Sequence, residues 1–234
     1  VIDRGPVASG TTGAGEGNIL VSDKEPSAEL TLAVRSRDAW FELNTDIGGG
    51  FELEPKGGVV VSRSEKGIAN LKKLSQLQKS NGIEVVELDA AGLRKIEPLI
   101  SESVEYAVLY PGDAQCQPML AAAKIIQSVI ARGGSLVSRS KVLGFDIKDG
   151  AVVAVNTSTG KYSAPIVINA AGTWAGEIAA LAGSNLPVAP RRGFILVTEP
   201  APQYIFHKVY DSDYVANVAS SDADLQTSTV VEGT

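Results

Sequence analysis

The run Ile166-Val167-Ile168-Asn169-Ala170-Ala171-Gly172-Thr173-Trp174 restricts the fold more than any other stretch of the chain. Its apolar residues do not alternate with polar ones, so the strand they predict needs cover on both faces. Tiny residues follow at once, and then a helix predicted over Trp174 to Leu181. A buried strand that turns directly into a helix belongs to a layered α/β arrangement. The junction would present bare backbone at a helix start, where the dipole favours anions. Tight strand-to-helix packing with Trp174 as core reads as well from these residues.

Val1-Ile2-Asp3 reads as the end of a second buried strand, terminating in a carboxylate. Such a carboxylate can accept both hydroxyls of an adenosine ribose, or it can be an ordinary surface aspartate. In dinucleotide-binding folds it follows a glycine-rich turn by about 20 residues, and no such turn precedes Val1 in this sequence. The loop from Ala8 to Asn18 is rich in glycine and hydroxyls. It suits close approach of backbone N–H groups to a phosphate or a flat ring, and equally a flexible surface loop.

Elsewhere the periodicity predicts helices over 27–45, across Ile68, Leu71, Leu74 and Leu77, and from Pro118 to Ala131, with Gly48-Gly49-Gly50 ending the first. Asp89 is a fair N-cap for a short helix ending at Glu97-Pro98. Strands are predicted at 57–62, Ile83 to Leu88, Val104 to Tyr110, Ser135 to Ser138, Val142 to Ile147, Ala151 to Thr157, Ile166 to Asn169 and Gly193 to Thr198. Asp149-Gly150 and Thr159-Gly160 read as hairpin turns. The expected fold class is mixed α/β (α+β), a parallel layer interrupted by an antiparallel sheet.

Composition removes several function classes. The 234 residues carry a net charge of −6 with no basic stripe, which excludes a phosphate-neutralising nucleic-acid surface. No stretch approaches the roughly 20 apolar residues of a membrane span. One cysteine, Cys116, precludes an intrachain disulfide and fits a reducing, cytoplasmic setting, and one cysteine with one histidine gives no metal-site spacing. Val1 is not Met, and Ser228-Thr229-Val230-Val231-Glu232 approaches a strand just before Thr234, so both ends read as cut.

In their order and spacing these motifs resemble the D-amino-acid oxidase-like flavoproteins, the group of glycine oxidase, sarcosine oxidase and D-amino-acid dehydrogenases. Val1-Ile2-Asp3-Arg4 followed by Ala8-Ser9-Gly10 is similar to that family's second strand and flavin-facing loop. Leu109-Tyr110-Pro111-Gly112-Asp113 with Pro118 resembles its entry to a long helix, and Gly134 to Phe145 its strand pair beside adenine. Asn169 to Ala175 is the most specific signature, and Pro187-Val188 with Pro190-Arg191-Arg192-Gly193 resembles the strand entry that follows. Two departures stand out: the family's first strand with its Gly-x-Gly-x-x-Gly turn would precede Val1 by about 30 residues. Its second glycine-rich flavin loop and substrate-carboxylate arginine would lie beyond Thr234. Phe194 stands where relatives often carry a polar residue.

The resemblance implies FAD as cofactor of the parent enzyme, held weakly or not at all by this chain. It implies contacts from Asp3, Arg4, Ser9, Gly10, Thr11, Thr12, Gly17, Val142, Ala170, Ala171, Gly172, Trp174 and Gly193. Residues 1–44 and 140–191 would form a partial FAD-binding Rossmann-like domain, and 45–139 with 192–234 a substrate-type domain built on an antiparallel sheet. The implied reaction is hydride loss from the CH–NH unit of an amino acid or secondary amine to flavin, with the cofactor carrying the hard chemistry. No catalytic side chain is singled out. Tyr214 is the first candidate for a substrate contact, near His207, Tyr210 and Asp211, and Glu16 could face the site from the loop. Cys116 reads as a small buried residue. The implied partners are a small amine or amino-acid substrate and an oligomer or heteromeric oxidoreductase complex. A competing reading keeps the fold without the flavin, as a non-catalytic fragment or interaction subunit.

Overall fold

Gly48, Gly49 and Gly50 all take positive φ, which stops the first long helix where the sequence places the break. The computed structural model describes residues 1–190 and 192–212. In chain order the regular elements are β1 (Asn18–Ile19), α1 (Ala28–Asp46), β2 (Gly58–Ser62), α2 (Glu65–Ser80), β3 (Val86–Asp89), α3 (Ala90–Ile96), β4 (Tyr106–Tyr110) and β5 (Ala114–Gln115). They continue with α4 (Pro118–Ala131), β6 (Val142–Lys148), β7 (Ala151–Thr157), β8 (Lys161–Ser163), α5 (Ala175–Leu181) and β9 (Lys208–Asp211). The mixed α/β class holds.

Contacts divide the chain into two units, one of residues 1–18, 41–53 and 116–199 and one of 19–40, 54–115 and 200–234. This partition puts α4 in the first unit and the 19–40 segment in the second, whereas the sequence places both on the other side.

The second unit is built on a sheet in the order β3-β4-β2-β9. β4 pairs antiparallel with both β3 and β2, while β9 adds to β2 in parallel, so the sheet is mixed rather than purely antiparallel. Alternation along the strands sends side chains to two cores. Val60, Tyr106, Val108 and Tyr110 pack with Leu30 of α1 and Leu71 of α2 on one face. Val59, Val61 and Ala107 pack with Leu93 of α3 on the other. Ser64 and Asp89 cap α2 and α3 by accepting the N–H groups of Gly67 and Gly92 (3.0 and 2.7 Å).

The buried face of α2 follows the leucine spacing at Leu71, with Ile68 and Leu74 packed against the core, and departs from it at Leu77. Gly67, Leu71, Ser75 and Gln78 are buried, whereas Leu77 is exposed. Steps of three residues lag the helical turn, so Leu77 has rotated about 180° from Ile68. Gln78 takes the buried position and ties the 21–24 segment down. Its amide donates toward the carbonyls of Val21, Ser22 and Lys24 (3.3, 3.1 and 2.7 Å), and its oxygen accepts the Tyr110 hydroxyl (2.7 Å). Fully buried Asp113 holds the same segment through the Val21 N–H (2.8 Å) and the Ser22 hydroxyl. Burial pushes the Asp113 carboxyl above the ordinary carboxylate range, with the Ser22 and Val21 hydrogen bonds opposing that rise.

In the first unit β6, β7 and β8 form an antiparallel meander. The Asp149-Gly150 turn between β6 and β7 takes positive φ at both residues, as a tight hairpin requires. Three predicted strands are not strands here. Ser135 to Ser138 is reduced to a single parallel bridge between Ile2 and Val137. Ile166 to Asn169 and Gly193 to Thr198 have no strand neighbour among the described residues, and Ile166 and Ile168 stand 77% and 84% exposed. A ladder needs a partner for every N–H and C=O, and apolar residues alone do not supply one.

Two substitutions on α2 separate the predicted face from the observed one. Gln78→Met should lower stability by about 2–4 kcal/mol, because each buried polar group left unsatisfied costs about 1–3 kcal/mol. Leu77→Ala should change it by no more than about 0.5 kcal/mol. Denaturant unfolding of both variants checks this, and the reverse ranking contradicts it.

Candidate functional site

The candidate site lies in the first unit, where three segments distant in sequence meet. Residues 1–5 run beside 137–140: Asp3 N–H donates to the Val137 carbonyl (3.0 Å), and Ser140 N–H to the Asp3 carbonyl (2.8 Å). The Asp3 side chain turns back on its own loop, its Oδ1 accepting the Gly5 N–H (2.8 Å). That is an Asx turn, and it leaves Oδ2 with no hydrogen bond among the described residues.

Next, the Arg4 guanidinium lies over the Trp174 ring, 3.8 Å from its centroid. Gly10 reaches the same ring: a methyl group there would sit 3.7 Å from its outer edge. Thr11–Ala14 forms a short 3-10 turn, closed by Gly13 N–H to Gly10 (3.2 Å). Ser9, Thr11 and Thr12 are exposed on this loop. Not all its glycines face open space. A methyl group on Gly13 would strike the Ala8 carbonyl, and one on Gly17 the Cys116 carbonyl, so these two serve the loop's own packing.

The third segment is held by Asn169, the first residue of the signature, to which the sequence reading gives no role of its own. Asn169 clamps the turn from both sides, its Oδ1 accepting the Ala171 N–H (3.2 Å) and its Nδ2 donating to the Ala175 carbonyl (2.9 Å). An asparagine just before Ala-Ala-Gly was the available signal. Gly172 takes φ +56 with nothing within 4 Å of where a Cβ would be, so bare backbone is presented there. Ala170 is exposed beside it. Val142 opens β6 two residues after Ser140, which anchors it next to Asp3.

Other expected residues lie apart. A Cβ added at Gly193 would meet nothing within 4 Å, so no side chain of this cluster closes on it. Tyr214 lies outside the described residues. His207 is committed in the second unit, where its backbone N–H, its Nδ1 and the Phe206 N–H all meet Oε1 of buried Glu97 (2.6, 2.8 and 2.9 Å). Tyr210 donates its hydroxyl to Ser22, and burial raises it above the ordinary phenol range. Asp211 lies 3.8 Å from Arg63, and Glu16 accepts from Asn18 (2.5 Å). Cys116 is buried. Among the described residues no His, Cys, Asp and Glu group is arranged for a metal ion, and no helix is long and apolar enough to cross a membrane.

The profile of the FAD dependent oxidoreductase family (DAO) matches residues 1–226. The chain belongs to that family. Mitochondrial sarcosine dehydrogenase of Mus musculus is 26% identical over 206 residues, which cover 85% of this chain and 22% of that protein. Glycine oxidase of Geobacillus kaustophilus is 28% identical over 211 residues, 86% of this chain and 55% of the enzyme. A crystal structure of glycine oxidase from Geobacillus kaustophilus shares the fold, with a TM-score of 0.80 at 22% identity over 90% of this chain and 58% of that one. The chain spans less than two thirds of the length of each of these relatives.

Family membership implies FAD, and the donor set here fits only part of it. Asp3 Oδ2, the exposed loop hydroxyls and bare Gly172 suit the sugar and ring portions. The diphosphate needs a row of free N–H groups at a helix start. In this unit α4 begins at Pro118, which has no N–H, and Gln117 already accepts from Met119 (2.8 Å). α5 is seven residues long, and Trp174 N–H just before it donates to Ala171 (3.1 Å). The described residues therefore do not fit the whole cofactor, and no catalytic step is assigned to them.

The contact that joins the first and third segments can be weighed directly. A double-mutant cycle with Arg4→Ala and Trp174→Ala should return a coupling of about 0.5–1 kcal/mol. A coupling indistinguishable from zero in chemical unfolding contradicts the contact.

Proposed function

We propose that this chain is part of an FAD-dependent oxidoreductase that acts on the CH–NH bond of an amino acid or secondary amine. The observation that carries this is the meeting of Arg4, Gly10 and Trp174 within a chain matched to the FAD dependent oxidoreductase family over residues 1–226. The resemblance to glycine oxidase and sarcosine dehydrogenase supports the substrate class. When bound, FAD supplies the electron-pair acceptor, so the protein needs to bind and orient rather than provide a base.

The chain's own residues divide that work. Asp3 Oδ2 would accept ribose hydroxyls, and the Ser9–Thr12 loop with Arg4 would line the cofactor beside Trp174. Gly17, kept against Cys116, fixes the loop's far end, Val142 would flank adenine, and Ala170, Ala171 and Gly172 would let the cofactor approach bare backbone. Gly193 and Tyr214 belong to the same proposal on the flavin and substrate sides. The first unit is then the FAD-binding part, and the sheet of the second unit the substrate-type part. Small amines or amino acids are the proposed substrates, with association into an oligomer or a heteromeric oxidoreductase complex.

By itself this 234-residue chain should hold FAD poorly. Each missing charge-assisted hydrogen bond to the diphosphate forfeits about 1.5–3 kcal/mol, and several together weaken affinity by orders of magnitude. A titration of the chain into FAD, followed by flavin fluorescence, should show no saturation up to about 1 μM protein. Saturable binding at or below that concentration contradicts this view of the donor set.

A further inference from the structure

We propose that the start of α2, in the second unit, is a binding site for a phosphate group, independent of the flavin reading. α2 is 16 residues long, so its first N–H groups carry the helix dipole's positive end. The other long helices among the described residues, α1 and α4, use more of their first-turn donors. Ser27 Oγ accepts from Glu29 and Leu30 at the start of α1 (3.2 and 3.4 Å), and Pro118 with Gln117 closes α4. At α2 the Ser64 hydroxyl takes only the Gly67 N–H, leaving those of Glu65 and Lys66 without a partner in the helix.

A second observation points at the same place. Ser212 is 7% exposed, and its hydroxyl is buried with no hydrogen-bond partner among the described residues. That oxygen lies 3.0 Å from where a Cβ on Gly67 would be, and the Ser64 hydroxyl (2.9 Å) and the Ser62 hydroxyl also lie close to that same position. Ser62 is 1% exposed, and the one hydrogen bond of its hydroxyl among the described residues, to the Ser64 carbonyl, is 3.5 Å long and correspondingly weak. A buried hydroxyl without a partner is costly, and native structures seldom leave one so. Here two under-satisfied donors converge on a helix start that needs an acceptor, and only glycine at 67 leaves them room.

An acceptor for these donors must be small and rich in oxygen, which a phosphate group is. Local charge is balanced rather than strongly positive. Arg63 and Lys66 flank the turn, while Glu65 stands in the first turn and Asp211 lies 3.8 Å from Arg63. Binding is therefore weak, with a dissociation constant on the order of millimolar.

The test uses the full chain at fixed ionic strength, exchanging chloride for inorganic phosphate, and in a parallel arm for methyl phosphate. Thermal unfolding and the amide shifts of Glu65 and Lys66 are followed. Phosphate should raise the unfolding midpoint saturably and move both amides. Ser212→Ala should raise the midpoint without phosphate, because it removes the unsatisfied hydroxyl, and should abolish at least most of the phosphate response. Glu65→Gln should tighten binding severalfold. Saturation in both arms assigns the site to a phosphate monoester, and saturation by inorganic phosphate alone to the free anion; either supports the site. No saturation in either arm, or an undiminished response in Ser212→Ala, overturns it.

Discussion

Backbone pairing is the constraint on which the rest of this structure depends. A strand hides its apolar side chains only if its N–H and C=O groups also find partners, because burying them unpaired costs more than the side chains return. In the second unit β2 is paired on both edges, and its residues from Gly58 to Ser62 are all buried. In the first unit Ile166 to Asn169 has the more apolar sequence and no strand neighbour among the described residues, and it stays exposed. The contrast between two apolar runs in one chain is one of partners, not of composition.

What pairing does for strands, buried polar side chains do for the loops of the second unit. The 21–24 segment has no ladder of its own on this sheet, yet Val21 and Ser22 are fully buried. Gln78 and Asp113 satisfy its backbone from two directions. In the first unit Asn169 plays the same part for the turn before α5, and the Arg4–Trp174 stack ties the glycine loop to that turn. The resemblance to D-amino-acid oxidase-like flavoproteins therefore rests on residues that the fold brings together, and the family match over 1–226 stands with it.

Local chemistry was the legible part of the sequence. Asp89 caps α3, Pro118 opens α4, and Asp149-Gly150 turns the hairpin as their side chains and φ preferences dictate. The meeting of the Asp3–Arg4 segment, the glycine loop and Trp174 was legible only through resemblance, since nothing local in Gly10 selects an indole. Two kinds of feature stayed hidden. The buried face of α2 is chosen by what lies across from it, so Gln78 displaces Leu77 for reasons that lie in Tyr110 and the 21–24 carbonyls. The state of Ile166 to Asn169 depends on a neighbour, which no property of those four residues can provide.

Amide hydrogen exchange on this chain tests the pairing constraint most directly, because it reports residue by residue whether a backbone N–H is held. The amides of β2 and β4 should be the slowest in the chain, and those of Val167 and Ile168 should exchange at close to the rate of an unstructured peptide. Protection at Val167 and Ile168 equal to that in β4 would mean that this run is paired after all, and that the exposure of Ile166 and Ile168 is not a property of the folded chain.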